Sequence, residues 1–133
     1  MSEHRVQLVR RGFNAWNQRD PRWVLEHMSP QIEWITPPTD PYAGTYRGHE
    51  GVEEFWSRWR TAVGELRFDL DELIDAGEHV VVIARRTANN PATGLQISDA
   101  IAQVFTFDGD DVCVRVEEFH GREAALRAAG LDS

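Results

Sequence analysis

Two polar side chains interrupt an otherwise apolar strand pattern in the C-terminal half of the chain. In the strand predicted from Gln96 to Phe107, alternate residues fall on two faces. The bulkier face carries Asp99, Ile101, Gln103, Phe105 and Phe107. The other face carries the smaller Ser98, Ala100, Ala102, Val104 and Thr106. Because buried polar groups need a partner, Asp99 and Gln103 either bond within the protein or bind a ligand.

A carboxylate on the last predicted strand is the main candidate for chemistry. This strand runs from Val112 to Phe119. Alternation alone places Val116 inside and Glu117 toward water, and a symmetric turn that pairs Gln103 with Val116 agrees with that. A left-handed Gly109 followed by a bulge would instead pair Gln103 with Glu117 and turn Glu117 inward. The pattern leaves both registers open.

In the bulged register, apolar side chains would enclose Glu117. They are Trp34, Trp56, Trp59, Ile101 and Phe119. Loss of hydration would raise the pKa of Glu117 toward a value suited to proton transfer near neutrality. Arg85 or Arg115 could oppose that rise and keep Glu117 ionised, as a base or a ligand anchor. In the alternative interpretation, Glu117 joins a structural arginine pair in a non-catalytic cavity.

Aromatic residues could line such a site. Trp56 and Trp59 stand at helical spacing, which is typical of a core, but core aromatic residues can also line an internal pocket. Tyr46, next to a proline-rich segment, could present its hydroxyl at the pocket mouth.

Motifs for metals and cofactors are missing from the sequence. The five histidines include no pair at metal-ligand spacing. The sequence also has no phosphate-binding glycine loop, nucleophile elbow or dinucleotide fingerprint. We therefore predict no metal and no organic cofactor.

The elements that must position these residues follow from hydrophobic periodicity. Stripes of apolar residues predict helices over Glu3–Asn17 and Gly48–Val63. Asp20-Pro21 begins a short helix, and three prolines between Pro37 and Gly44 predict a loop that could act as a lid. Strands are predicted at Ile32–Ile35, Arg67–Ile74, Val80–Ala88, Gln96–Phe107 and Val112–Phe119, with a last helix at Gly121–Ala129. This order predicts one α+β domain over residues 1–133.

Composition limits the partners. The 133-residue chain has 14 Lys and Arg against 22 Asp and Glu, a net charge of -8, which argues against nucleic acid and anionic membranes. The lone Cys113 lies in an apolar run, as expected of a buried thiol in a reducing compartment. We expect a cytoplasmic protein, since the N-terminus has no apolar signal segment.

Several segments resemble the SnoaL-like polyketide cyclase branch of the nuclear transport factor 2-like superfamily. They are Arg19-Asp20-Pro21, Ile32-Glu33-Trp34, Tyr46 to Val52, and Val104 to Asp110 followed by Glu118-Phe119-His120. The resemblance covers almost the whole chain. It implies a curved sheet wrapped around helices as a cone with an internal pocket, but not a reaction.

The resemblance carries over few catalytic residues. Ketosteroid isomerases would place their base, tyrosine and protonated aspartate near Thr36, Gly12 and Gln103, so none is kept. Limonene-epoxide hydrolases resemble this chain at Arg85 and Glu117, but Thr87 stands where a second acid is expected. The histidine and aspartate of SnoaL-like cyclases correspond to Gln103 and Glu117, so only the acid survives.

We therefore expect an enzyme that cyclises, isomerises or hydrolyses a hydrophobic small molecule without a cofactor. Glu117, Gln103 and Arg85 would be catalytic. Substrate-binding residues would be Trp34, Tyr46, Trp56, Trp59, Asp99, Ile101, Arg115 and Phe119. The alternative is a non-catalytic ligand-binding or dimerisation module of the same fold. A homodimer is predicted in either case, because the small face with Ala100, Ala102 and Val104 would form an apolar outer patch. In the bulged register, Val114 and Val116 would continue this patch.

Overall fold

The structure is a computed structural model and describes residues 3–131. The elements are α1 (Glu3–Asn17), α2 (Pro21–Glu26), β1 (Met28–Ile35), β2 (Thr45–Arg47), α3 (Gly48–Val63), β3 (Leu66–Ala76), β4 (His79–Asn90), β5 (Leu95–Phe107), β6 (Cys113–Phe119) and α4 (Arg122–Ala128). No helix in this part of the chain is long and apolar enough to cross a membrane.

The strands form one curved, unclosed sheet in the order β2-β1-β6-β5-β4-β3. Strands β3 to β6 form an antiparallel meander, whereas β1 joins β6 in parallel. Irregular pairings interrupt the hydrogen-bond ladders between β1 and β6, between β3 and β4, and between β5 and β6 next to their turn. Such bulges bend a sheet. This confirms the predicted α+β fold with a curved sheet around helices.

Each face of the sheet has its own apolar core. The inner core joins α1 and α3 to the concave face and includes Phe13, Phe55, Trp56, Ile101 and Phe105. The apolar stripes that predicted these helices supply their buried residues. On the outer face, Ala102 and Val104 pack against Ala125, Leu126 and Ala129 of the C-terminal segment.

This outer packing changes one argument from the sequence. On the small face of β5, Ala102 and Val104 are covered by the C-terminal segment instead of forming a bare patch, while Ala100 is exposed. Val116, expected to continue the patch in the bulged register, belongs to the inner core. The homodimer stays a prediction, but these side chains no longer support it.

The loop between β1 and β2 is closed by hydrogen bonds at its base. The backbone N–H of Thr36 donates to the Gly44 carbonyl over 3.0 Å, and the Gly44 N–H donates to the Thr36 hydroxyl over 2.8 Å. The sequence predicted this loop but not β2, whose three residues pair with β1. The second helix ends at Glu26 and not at Ser29-Pro30, where the sequence predicted its end, because β1 already begins at Met28.

Strands β5 and β6 pair in a register that neither sequence interpretation included. Gln103 lies opposite Glu118, and Val104 lies opposite Glu117. Relative to the symmetric pairing of Gln103 with Val116, the register has moved by two residues. Since strand side chains alternate with a period of two, this movement keeps Val116 and Glu118 on the inner face and places Glu118 directly opposite Gln103. The prediction that Glu117 shares the inner face with Gln103 is wrong.

The turn before β6 explains this register. Asp111 is the left-handed residue, with φ of 60°, whereas Gly109 has no positive φ. The Asp108 carboxylate accepts the backbone N–H groups of Asp110 and Val112 over 2.8 and 3.1 Å. Pairing then shifts once more between Thr106 and Phe107. The turn is therefore organised by Asp108 and Asp111, not by a left-handed Gly109.

Candidate functional site

A buried amide and a buried carboxyl form the centre of the inner face. Gln103 Nε2 donates to Glu118 Oε2 over 2.8 Å. The two residues are only 2% and 5% exposed. Their cross-strand position on β5 and β6 fixes this contact, because directly opposed side chains lie on the same side of the sheet.

Burial strongly changes the acidity of Glu118. Desolvation raises its pKa from 4.5 to about 7, since a carboxylate without hydration is unstable. The hydrogen bond from Gln103 and the charge of Arg86 lower the pKa, while the charge of Asp40 raises it. The Trp34 indole also lowers it without reaching hydrogen-bond geometry. Glu118 can therefore release and accept a proton near neutral pH.

Glu117, the predicted catalytic residue, lies outside the cavity. Arg115 Nη2 contacts its Oε1 over 2.9 Å, and the side chains of Glu117 and Arg115 are 31% and 47% exposed. This is the arginine pair of the alternative interpretation, but on the outer face. Arg115, predicted to bind substrate, faces away from the cavity for the same reason.

Arg86, not Arg85, is the inward-facing arginine. Its guanidinium makes two hydrogen bonds to the Asp99 carboxylate, over 3.1 and 2.9 Å, and lies 4.8 Å from the ring centroid of Trp59. Burial works against its charge, but Asp99, Glu118 and Asp40 together raise the pKa of Arg86. Arg85 is exposed on the other face of β4, so its predicted place in the site is wrong.

A cavity of about 360 Å³ extends from this polar cluster between the helices and the sheet. Its walls are mostly apolar and contain many aromatic side chains. They include Phe13, Trp16, Trp34, Phe55, Trp56, Trp59, Phe68, Phe105 and Phe107. Gln103, Glu118 and Arg86 supply polar groups at the lining. Such a mixture of apolar walls and few polar groups is typical of small-molecule sites.

The predicted substrate-binding residues divide into two groups. Trp34, Trp56 and Trp59 line the cavity. Ile101 packs in the inner core, Asp99 is held by Arg86, and Phe119 packs on the outer cluster. Tyr46 also lies off the lining, because its hydroxyl donates to the Tyr42 carbonyl over 2.7 Å and its ring packs against Phe55.

Exposed lining residues mark the mouth of the cavity. They are His4, Glu26, His27 and Asp110, from α1, the end of α2 and the β5–β6 turn. The proline-rich loop does not line the cavity. The predicted lid therefore lies away from this mouth.

That loop instead places a third acidic residue near the polar cluster. The Asp40 side chain is 10% exposed, and its Oδ1 lies 3.5 Å from His120 Nε2. The same histidine nitrogen lies 2.6 Å from the Thr39 hydroxyl. These contacts tie the loop to the end of β6, two residues beyond Glu118.

The fold agrees with the comparisons to known proteins. The sequence profile of the SnoaL-like domain family matches residues 9–116. The chain belongs to this family. Among curated proteins, none matches its sequence at a significant level.

Solved structures similar to this SnoaL-like domain cover nearly its whole length. An NTF2-like protein of unknown function from Burkholderia pseudomallei is 28% identical with a TM-score of 0.78, covering 92% of this chain and 95% of that one. TerC, co-crystallised with polyporic acid, is 24% identical with a TM-score of 0.77, covering 95% and 98%. A putative SnoaL-like polyketide cyclase from Jannaschia is 20% identical with a TM-score of 0.74, covering 97% and 93%.

Among residues 3–131 of the SnoaL-like domain, no cluster of His, Cys, Asp and Glu could hold a metal ion. Cys113 is buried within the inner core, and desolvation raises the pKa of its thiol to about 12. A thiol that stays protonated is a poor ligand and nucleophile. Proton transfer by Glu118 is the chemistry that these side chains support best.

Three residues of the site were missed from the sequence. The first is Glu118: simple alternation along β6 places Val116 inside, and Glu118, two residues later, therefore lies on the same inner face. The others are Arg86 and Asp40. Arg86 could have been found from Asp99, because a symmetric β4–β5 turn pairs the two directly. Asp40 carried no local signal, since its position depends on contacts across the fold.

Proposed function

We propose that this SnoaL-like domain binds a hydrophobic small molecule in its cavity and transfers a proton on it, with Glu118 as the acid or base. The reaction would be of the isomerase, cyclase or hydrolase type and would need no cofactor. The observation that carries the proposal is a buried carboxyl with a pKa of about 7 at the lining of an aromatic cavity. This pKa suits general acid–base catalysis near neutrality.

The neighbours of Glu118 have separate roles in this proposal. Gln103 holds one carboxyl oxygen through a 2.8 Å hydrogen bond and leaves the other oxygen for the substrate. Arg86 stabilises the ionised form at the moment when Glu118 has released its proton. The tryptophans exclude water and hold flat apolar surface against the carboxyl.

The similar structures support a small-molecule site in general terms. TerC was crystallised with polyporic acid, and the Jannaschia protein is described as a putative polyketide cyclase. A carbonyl compound of comparable hydrophobic character is the substrate class that we propose.

A non-catalytic ligand-binding module is the second candidate. It is favoured by Gln103, an amide that does not act as a general acid or base near neutral pH, at the position where the resemblance to cyclases implies a histidine. Both candidate functions use the same cavity. They differ in whether Glu118 transfers a proton to or from the bound molecule.

Deuterium exchange on 2-tetralone distinguishes the candidates. This apolar ketone has acidic protons beside its carbonyl, and ¹H NMR in D₂O follows their loss. We expect the protein to accelerate exchange, with a rate that rises through about pH 7 as Glu118 ionises. Glu118→Gln should slow exchange by about 10²-fold or more, the usual effect of losing a general base.

Glu117→Gln is the matched control, because it changes the neighbouring carboxylate outside the cavity. It should exchange at the wild-type rate. Exchange by Glu118→Gln at the wild-type rate would remove Glu118 from catalysis. No acceleration by the wild-type protein, with 2-tetralone bound, would favour the non-catalytic module.

A further inference from the structure

Three buried side-chain atoms, each on a residue that lines the cavity, have no hydrogen-bond partner among residues 3–131. They are Trp34 Nε1, Gln103 Oε1 and Glu118 Oε1. The sheet brings them together from the adjacent strands β1, β5 and β6. Gln103 is directly opposite Glu118, and Trp34 is opposite Val116, two residues before Glu118. The three residues therefore belong to one patch of the cavity wall, and their unpartnered atoms are buried there.

The hydrogen-bonding character of this patch is fixed by its internal contact. Because Gln103 Nε2 donates to Glu118, the amide oxygen is the free end and can only accept. The Trp34 indole N–H can only donate. Glu118 Oε1 donates when the carboxyl is protonated and accepts when it is ionised. The patch thus offers at least one donor and one acceptor in either state.

Buried polar atoms without partners destabilise a protein, so a ligand that satisfies them gains affinity. We propose that the ligand is a neutral, planar ring compound with a hydrogen-bond acceptor and a hydrogen-bond donor on adjacent atoms, as in a lactam or an α-hydroxyketone. The acceptor would take the Trp34 N–H, and the donor would bond to Gln103 Oε1. This rests on the proposed binding site but not on proton transfer.

Charge and shape explain the other features of this ligand class. Arg86 is already engaged by two hydrogen bonds to Asp99, so it leaves little positive charge for a ligand anion. The nearby Asp40 would repel one, and so would Glu118 once it has ionised. The aromatic walls and the volume of about 360 Å³ fit a flat, fused ring system.

Matched pairs of probes test this inference by binding alone. 2-Quinolone presents N–H beside C=O, and coumarin replaces that N–H with oxygen. 3-Hydroxychromone and chromone form the corresponding α-hydroxyketone pair. Affinities are measured at pH 6 from quenching of tryptophan fluorescence. We expect the donor-bearing member of at least one pair to bind about tenfold more tightly, because one good hydrogen bond contributes about that factor in affinity. The pair that shows the difference indicates whether the preferred donor is a lactam N–H or a hydroxyl group.

Two variants assign the effect to atoms. Gln103→Met keeps a side chain of similar length without the acceptor, so the affinity ratio within the pair should fall toward one. Trp34→Phe removes the N–H donor, so both members should weaken by a similar factor and the ratio should persist. Glu117→Gln, outside the cavity, should leave affinities and ratio unchanged.

The wild-type ratios alone can overturn the inference, whether or not a variant folds. Equal affinity within both pairs, or no binding of any probe, would contradict it. So would a ratio that survives in folded Gln103→Met. None of these results decides the proposed proton transfer, which 2-tetralone exchange tests separately.

Discussion

Glu117 and Glu118 are neighbours in sequence and identical in chemistry, but they occupy opposite faces of β6. Glu117 pairs with Arg115 on the outer face, where both side chains are partly exposed to solvent. Glu118 is buried on the inner face, bonded to Gln103 and near Arg86 and Asp40. Strand alternation alone creates this difference.

The comparison separates two ways in which a protein uses a carboxylate. On the outer face, Glu117 is partly exposed to water and pairs with Arg115, and such a pair contributes little to stability. On the inner face, desolvation dominates and the proton is retained up to about pH 7. Burial of Glu118 therefore has two effects: it lowers the stability of the fold at high pH, and it raises the pKa of Glu118 to about 7.

The largest effect expected from this difference is on the pH dependence of stability. The pKa of Glu118 rises from 4.5 to about 7 on folding, so the folded state holds this proton more tightly. Its contribution is complete below about pH 4.5 and is lost as pH rises through about 7. The loss amounts to about 3 kcal/mol, at roughly 1.4 kcal/mol for each pKa unit.

Urea unfolding between pH 5 and pH 9 measures this loss. Glu118→Gln should remove most of the decline in the free energy of unfolding over that range, whereas Glu117→Gln should retain it. Parallel curves for wild type and Glu118→Gln would show that Glu118 has an ordinary pKa.

A smaller effect is expected from the two adjacent arginines of β4. Arg86→Met removes the buried guanidinium from Asp99 and from the Trp59 ring. We expect it to destabilise the fold by about 2 kcal/mol, less than a fully buried ion pair because the Asp99 side chain is 49% exposed. Arg85→Met, on the exposed face, should change stability by less than about 0.5 kcal/mol.

Urea unfolding at pH 7 compares the two variants. Equal losses would mean that Arg86 stabilises the protein no more than a surface arginine. The two substitutions are otherwise matched in chemistry and differ only in the face of β4.

The fold was predictable because its main signals are local. The apolar stripe of α3 predicted Gly48–Val63, the range that the structure shows. Alternation in β5 correctly separated Gln103 and Phe105 from Ala102 and Val104. In these segments, burial follows from the spacing of side chains along one element, so the sequence contains the information.

The site was less predictable because it depends on the pairing of elements. A register error of one residue exchanges Glu117 for Glu118, and the turn that sets the register is organised by the side chain of Asp108 and the left-handed Asp111. In β4, the apolar run before Arg85 gives no alternation from which to choose between Arg85 and Arg86. The position of Asp40 depends on contacts between a loop and a distant strand end.

Asp40 offers the smallest and most selective test of the contrast between the two glutamates. Its charge raises the pKa of Glu118, so Asp40→Asn, which keeps the size of the side chain, should lower that pKa. Carbon-13 NMR of glutamate carboxyl groups gives the titration, and the resonance missing from Glu118→Gln assigns it. Asp71→Asn, an exposed change on β3, is the control.

An unchanged pKa in Asp40→Asn would mean that burial alone distinguishes Glu118 from Glu117. A lower pKa would mean that the loop between β1 and β2, although it lies off the cavity wall, helps to set the acidity inside it.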